Sequence, residues 1–488
     1  MSTNDATSEL ELQDKGKELD LLTYTIESDF QSCRRLHWWR TERMIVPIEA
    51  ETEPIFFGKL WHAMAEIRDR LRMTRMDRKD AVAWALAYLS SETAGRVGDP
   101  KRRHAWLILS RAMVAYEARF AEDRPRSETG NPTLVDDIWS EDIVHAYGRD
   151  AFMRTGDEEI ELVAIEHKIV TPLINPETGA RSRTWNNGLK IDGLVRRKDT
   201  GKLWLLEKKM LSDLGDINRL WTDFQITRYA RQVQVEYGEP LEGAIYDVVL
   251  RPAIRLKEAY LEPENEWLQR VEEKIAESRD KLTVRLTTRK KDPHQPTTAE
   301  YAEEEARVRQ LKSMQRVERI AETDAEYSAR LDEFYAKPFS IVRVAIPFDQ
   351  ERIEEAEEIS WETSQQILDA RRRNKWRKNL AHCYHRFGGV CPYITLCRDR
   401  LDPEVDENVA MLFRKKKSKN PEFDDDPLDW VTARMGEGFT PEGVIAETAQ
   451  GEQEITDFGE GLRQALTGGG IGVDPASDPK TGTADIDF

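Results

Sequence analysis

The stretch Lys190-Ile191-Asp192-Gly193-Leu194-Val195-Arg196-Arg197-Lys198-Asp199-Thr200-Gly201-Lys202-Leu203-Trp204-Leu205-Leu206-Glu207-Lys208-Lys209 reads as two apolar strands around a polar turn. Lys198 to Gly201 supplies the turn, and a hairpin centred on it pairs positions whose numbers sum to 399. Asp192 then faces Glu207. Residues directly opposite one another have Cβ atoms about 4.5–5.5 Å apart and leave the sheet on one face. Lys209, two positions beyond Glu207, shares that face. Two carboxylates so placed can share one divalent cation, which relieves their repulsion and can lower the pKa of a bound water. Lys209 is placed to orient that water or to stabilise charge developing on a phosphate. Taken alone, the spacing is a weak signal and fits an ordinary exposed hairpin with a salt bridge better.

Working outward, Glu161–Val170, Leu189–Arg197, Lys202–Lys209 and Gly243–Leu250 read as strands, with a helix from about Ile217 to Glu236 between the last two. A final strand, Phe339–Ile346, leads into a helix over Gln350–Arg373. Upstream, Ser28-Asp29-Phe30-Gln31 fits a capping box ahead of the run Phe30–Trp39, which places Cys33 in the first turns of a helix. Further helices are predicted over Gly58–Leu71, Asp80–Leu89 and Lys101–Phe120. The order implies an α/β fold with a helical section over about 59–130. Residues 264–330, highly charged and broken at Asp292–Pro296, read as a helical insertion. The folded part is predicted to span 23–415, between a disordered leader (1–22) and an acidic disordered tail (416–488).

The chain has 488 residues and a net charge of −18, but the charge is unevenly spread. Pro421–Phe488 holds 16 acids against Arg434, Arg463 and Lys480, so −13 lies there and −5 in the remaining 420 residues. A basic path for DNA on the body stays compatible with that balance. The sequence has no apolar run of the length that spans a bilayer, and Met1–Asp20 lacks the apolar core of a signal peptide, so a cytoplasmic protein without a membrane partner is expected. There is no phosphate-binding loop of the G-x(4)-G-K-[ST] kind, so any unwinding has to come from a helicase or recombination partner.

In chain order as well as spacing, these residues resemble the PD-(D/E)XK nuclease superfamily, on its RecB-like exonuclease branch. Asp192-Gly193-Leu194-Val195 and Glu207-Lys208-Lys209 look like its second acidic and E-x-K motifs. Gly58-Lys59-Leu60-Trp61-His62 resembles the G-x(3)-H motif, whose histidine adds a metal ligand, and Gln225-Ile226-Thr227-Arg228-Tyr229 resembles the Q-x(3)-Y helix motif. The resemblance covers roughly residues 23–400. It implies a restriction-endonuclease-like core, with Asp192, Glu207, Lys209, Gln225 and Tyr229 at the catalytic site. His62, Asp192 and Glu207 would hold Mg²⁺ or Mn²⁺, and the substrate would be single-stranded DNA or duplex ends. A catalytically idle scaffold that binds single strands, an endonuclease and a CRISPR spacer-processing nuclease are the alternatives.

The chain has four cysteines, Cys33, Cys383, Cys391 and Cys397, three of them clustered. In a reducing compartment this favours metal ligation over disulfides, and the C-x(2–4)-C knuckles usual for structural zinc are missing. The pattern resembles the iron–sulfur subset of RecB-like nucleases, which implies a [4Fe-4S] cluster; zinc and unmetallated cysteines remain open. Seven residues between Cys383 and Cys391 depart from the two of many CRISPR-associated members, so a phage-type or stand-alone exonuclease fits better. The densest basic run, Arg371, Arg372, Arg373, Lys375, Trp376, Arg377 and Lys378, reads either as a single-strand path with one stacking ring or as a solvated helix face. The tail's last residues, Thr483–Phe488, superficially resemble the acidic, Phe-terminated tip of bacterial single-stranded DNA-binding proteins.

Overall fold

The computed structural model describes residues 19–48, 52–120, 152–153, 157–213, 220, 222–287, 296–337, 340–384, 390–423 and 426–448. Several expectations lie outside these: the start of the helix read from Ile217, the break at 292–295, the helical section beyond Phe120, and everything after Thr448, the Phe488 tip included. Among the described residues, no helix is long and apolar enough to cross a membrane.

The chain divides into two compact units, Met1–Ala253 with Leu331–Phe488, and Ile254–Arg330. The second holds helices Glu264–Thr287 and Thr298–Lys312, the latter opened by a Thr297/Glu300 capping box, and the short ladder Tyr260–Leu261 with Glu318–Arg319. It is the expected insertion, begun ten residues earlier than read because that ladder belongs to it.

The first unit is built on a mixed seven-stranded sheet, so the fold is α/β. Its order is Asp20–Leu22, Arg181–Arg197, Leu203–Leu211, Leu241–Leu250, Ile341–Pro347, Phe152–Met153, and Ile160–Ile174 also pairs with Arg181–Arg197. The hairpin register matches the prediction, running from Gly193↔Leu206 to Arg196↔Leu203. Gly201 takes φ +68° at the turn, a conformation strained for any residue with a Cβ. Leu203–Leu211 and Leu241–Leu250 are parallel, so the chain needs a crossover between them, and the helix Phe224–Tyr237 supplies it. Asp223 caps it by accepting from the Gln225 amide at 3.0 Å, and Gly238 ends it in the left-handed conformation. Ile226, Tyr229, Ala230 and Val233 form its apolar stripe, buried against Leu203, Leu205, Leu241 and Ala244. Full burial of Ile226 or Val233 stabilises this packing by roughly 1.5–3 kcal/mol each. The Glu53–Met73 and Pro100–Phe120 helices reach the other side of the Leu203–Leu211 strand, where Asp69 meets Lys208.

Three boundaries differ from the sequence reading. The first helix is Tyr24–Ser32, capped by Thr23, and not one capped by Ser28. Starting there puts Ile26 and Phe30, one turn apart, into a cluster with Trp185, Ile367 and Trp376. Cys33 then ends that helix in an extended conformation and starts Arg34–His37, so it sits at a break and not within a helical turn. Asp20–Leu22 is a strand paired in parallel with Trp185–Asn187, so this end of the leader is part of the fold. Finally, the chain beyond 416 does not all solvate: Pro427–Gly436 and Pro441–Thr448 are helices that bury Val431, Val444 and Ile445. They pack on Glu53–Met73 and Arg78–Glu92, with Trp430 edge-on to Tyr88 and Asp426 forked onto Arg70 at 2.7 and 2.8 Å. The surplus of acids masked these short apolar pairs, each preceded by a residue suited to start a helix.

Candidate active site

The long strand Arg181–Arg197 is paired with Asp20–Leu22 up to Asn187 and with Leu203–Leu211 from Gly193 onward. Between these two neighbours, among the described residues, Gly188–Asp192 has no strand on that edge. Asp192 turns its carboxylate into the opening, where Oδ2 accepts from the Lys208 amide at 2.8 Å. His62, from the middle of the Glu53–Met73 helix, brings Nδ1 to 3.3 Å from the same oxygen. Glu166 lies on the strand's other flank, between the pairs Ile165↔Gly193 and His167↔Ile191, and so opposite Asp192. Its φ of +50° is costly for a residue with a Cβ in mid-strand. Ligand atoms of His62, Glu166 and Asp192 all lie within 4.8 Å of one another, close enough to hold one ion.

Glu207 is 3% exposed and its Oε1 lies 2.5 Å from Lys209 Nζ, which is also 3.9 Å from Asp223. Tyr229 is buried against the same group of acids, and its hydroxyl accepts from Gln225 Nε2 at 3.2 Å. One turn of helix thus presents both residues together, as the Q-x(3)-Y spacing requires.

The charges here are held in tension. Burial and then the neighbouring Asp192 charge push the Glu207 carboxyl up to about 7, against the pull of Lys209. Burial, Asp192 and Glu66 push Glu166 up to about 8. Burial would raise Asp192 too, but the His62 charge and the Lys208 amide outweigh it and hold it at about 2. Burial would lower His62, yet Asp192, Glu207 and Glu166 together push it up to about 9. The surrounding carboxylates thus favour a protonated imidazole beside Asp192, and a cation placed among them would compete with that proton and relieve their crowding.

The structure thus brings His62, Asp192, Glu207, Lys209, Gln225 and Tyr229 into one place. The trio that meets single-ion spacing contains Glu166 where the sequence reading had Glu207, which is instead clasped by Lys209. Sequence reasoning missed Glu166, and with it Glu66 and Lys190, whose ammonium lies 2.7 Å from Glu166 and 3.7 Å from Glu66. The strand offers little signal for it, since Glu166 opens the polar run Glu166-His167-Lys168 and reads as part of a solvated stretch.

All four cysteines line one small cavity, with Leu36, Lys378, Asn379, His382, Tyr393 and Ile394 completing the wall. The break at Cys33 presents its sulfur to the Asn379 amide at 3.3 Å. The Cys391 amide donates to the Cys383 carbonyl at 3.0 Å, and Cys397 lies on the short helix Ile394–Asp399. Trp39, Ile45, Tyr393 and Leu396 pack around Cys391 and Cys397, so Trp39 belongs to the cavity's support. Burial raises the Cys391 and Cys397 thiols above their ordinary range.

The basic run behaves differently from the single-strand path considered for it. Trp376 is 7% exposed and stacks on His37, with ring centroids 5.7 Å apart, so it offers no face to a base. Asn374, left-handed at φ +48°, ends the helix and turns the following chain inward. Arg371 pairs with Asp20 and Glu42 and lies over Trp185, and Lys378 donates to the Cys397 carbonyl. Arg372, Arg373, Lys375 and Arg377 remain on the exposed surface. No family model matches this chain, and no curated protein is detectably similar to it.

Proposed function

We propose that this chain is a divalent-metal-dependent DNA exonuclease of the PD-(D/E)XK, RecB-like kind, acting in recombination, repair or phage DNA processing, with an iron–sulfur cluster on its four cysteines. The observation that carries the reading is the His62, Glu166 and Asp192 trio beside the Glu207/Lys209 pair, at the opened end of the hairpin and against the crossover helix that bears Gln225 and Tyr229. An imidazole and two carboxylates form a donor set suited to Mg²⁺ or Mn²⁺, with Glu207 adjacent. When bound, such an ion would polarise a phosphate oxygen and lower the pKa of a water. The chain's own part is positional. Glu207 holds the Lys209 ammonium, which can stabilise charge on a phosphate oxygen, and the buried Tyr229 hydroxyl, oriented by Gln225, walls the site on the helix side.

End-labelled linear and circular DNA, single- and double-stranded, separates the possibilities when digested with Mg²⁺ or Mn²⁺. Linear substrates are expected to shorten while circles survive. Cut circles would make the enzyme an endonuclease, and binding without cleavage would leave a scaffold.

The cysteine cavity is read by size. A tetrahedral zinc ion with bonds of about 2.3 Å draws its sulfurs to about 3.8 Å of one another. Among the described residues no three cysteines meet that single-ion spacing. An iron–sulfur cluster would staple Cys33 to a segment about 350 residues away, a long loop that is entropically costly to close. Cys33→Ala and Cys397→Ala are expected to purify anaerobically without the brown absorbance of the wild type and to unfold at lower temperature. A colourless wild-type protein containing zinc by elemental analysis would overturn the assignment.

A further inference from the structure

Beside the ion-binding trio lies a second group of charges that the proposed activity does not use. Glu66 is one helical turn on from His62 and 4% exposed. Its Oε1 is engaged by Arg70 at 2.8 Å, and its Oε2 faces Lys190 Nζ at 3.7 Å. The same ammonium is 2.7 Å from Glu166 Oε2. Glu166 therefore belongs to both sets, as a carboxylate does when it bridges two cations. Lys190, two residues before Asp192 on the same strand, has been brought to the far side of that bridge.

Two-metal phosphodiesterase sites hold their ions about 3.5–4 Å apart through such a shared carboxylate. We infer that this site takes one divalent ion, the Lys190 ammonium standing where a second would bind. The inference rests on the nuclease reading and specifies its cation requirement. A second ion on the far side of Glu166 would have to displace the Lys190 ammonium, which is already paired with Glu166 and faces Glu66. Lysine is suited to the position because its charge is compact and sits on a flexible stem.

The test is stoichiometry, which does not depend on turnover. Mn²⁺ is titrated into the full chain, with bound ion counted by calorimetry and by the loss of the free-ion electron paramagnetic resonance signal. Wild type is expected to bind one Mn²⁺ per chain at this site and Asp192→Asn none. Lys190→Ala, which opens the space and leaves Glu66 and Glu166 facing each other, is expected to bind two. Lys190→Arg keeps the charge and is expected to bind one. Two ions in wild type, or one in a Lys190→Ala protein whose circular dichroism matches wild type, overturns the inference while leaving the nuclease reading intact. No ion in wild type removes the site itself and both readings with it. The wild-type count decides even if Lys190→Ala does not fold.

Discussion

On the proposed nuclease reading, Asp192→Asn is expected to slow DNA hydrolysis by roughly 1,000-fold or more, about 4 kcal/mol of transition-state stabilisation, with the fold and any DNA binding retained. The substitution is chosen because it preserves shape. An asparagine carbonyl can still accept from the Lys208 amide, the contact that seats Asp192 in the opening of the sheet. What it removes is the negative charge, and among the site's acids Asp192 is the one held firmly ionised. Without that charge the proposed cation would lose an anionic ligand, and His62 loses the partner that orients its Nδ1. Glu207→Gln and Lys209→Met are expected to fall in the same range, and the double variant no further, because residues that act as one unit are not additive. Initial rates on end-labelled linear DNA at saturating Mg²⁺ and Mn²⁺ measure the loss, and mobility shift in Ca²⁺ checks binding. Rates within tenfold of wild type in folded Asp192→Asn would sink the site.

Half of this site could be read from the sequence because one hairpin is regular. Its turn is marked by Asp199, Thr200 and Gly201, and no irregularity interrupts the count from there to Gly193 and Leu206, so the step to Asp192 and Glu207 follows by arithmetic. The strand carrying Glu166 has no such count. Ile174 pairs with Arg181 near the turn, but the register shifts between Pro172 and Ile174, and again between Leu162 and Ala164. Counting back from Ile174↔Arg181 would place Glu166 opposite Leu189, where it would have no acidic neighbour. The Trp376 error has a similar root. A basic run with one aromatic describes composition, whereas the left-handed Asn374 that folds the ring onto His37 is a backbone event. The four cysteines, by contrast, could be grouped without knowing any register, since nothing else in the chain competes for the role.

Behind the site the strand is anchored by buried charge, and Arg343→Met is expected to cost about 3–5 kcal/mol of stability. Lys208, between Glu207 and Lys209, points to the opposite side of the sheet and pairs with Asp69 at 2.6 Å. Asp69 in turn meets Arg68, which also holds Glu117 and Asp157 at 2.7 and 2.5 Å. Arg343 closes the network onto Asp157 at 2.7 Å and Asp247 at 2.6 Å, and Tyr116 donates to Asp247. Asp247 is fully buried and Arg343 is 2% exposed, so removing the guanidinium leaves an interior carboxylate that keeps the Tyr116 hydroxyl and the nearby Lys208 charge but loses its directly paired cation. Burial would raise the Asp157 carboxyl, but Arg68, Arg343 and Arg72 outweigh it and hold it well below the ordinary range. A depressed acid stabilises the fold above its unfolded pKa, so this contribution is complete at neutral pH and fades only as the pH falls through the acid range. Denaturant unfolding at pH 7 measures the loss. The paired replacement Arg343→Met with Asp247→Leu is expected to recover most of it, because the cost lies in the orphaned charge more than in the missing attraction. A single variant that loses less than about 1 kcal/mol, or a double that is worse than the single, would mean that the network does not hold the Glu207–Lys209 strand in place.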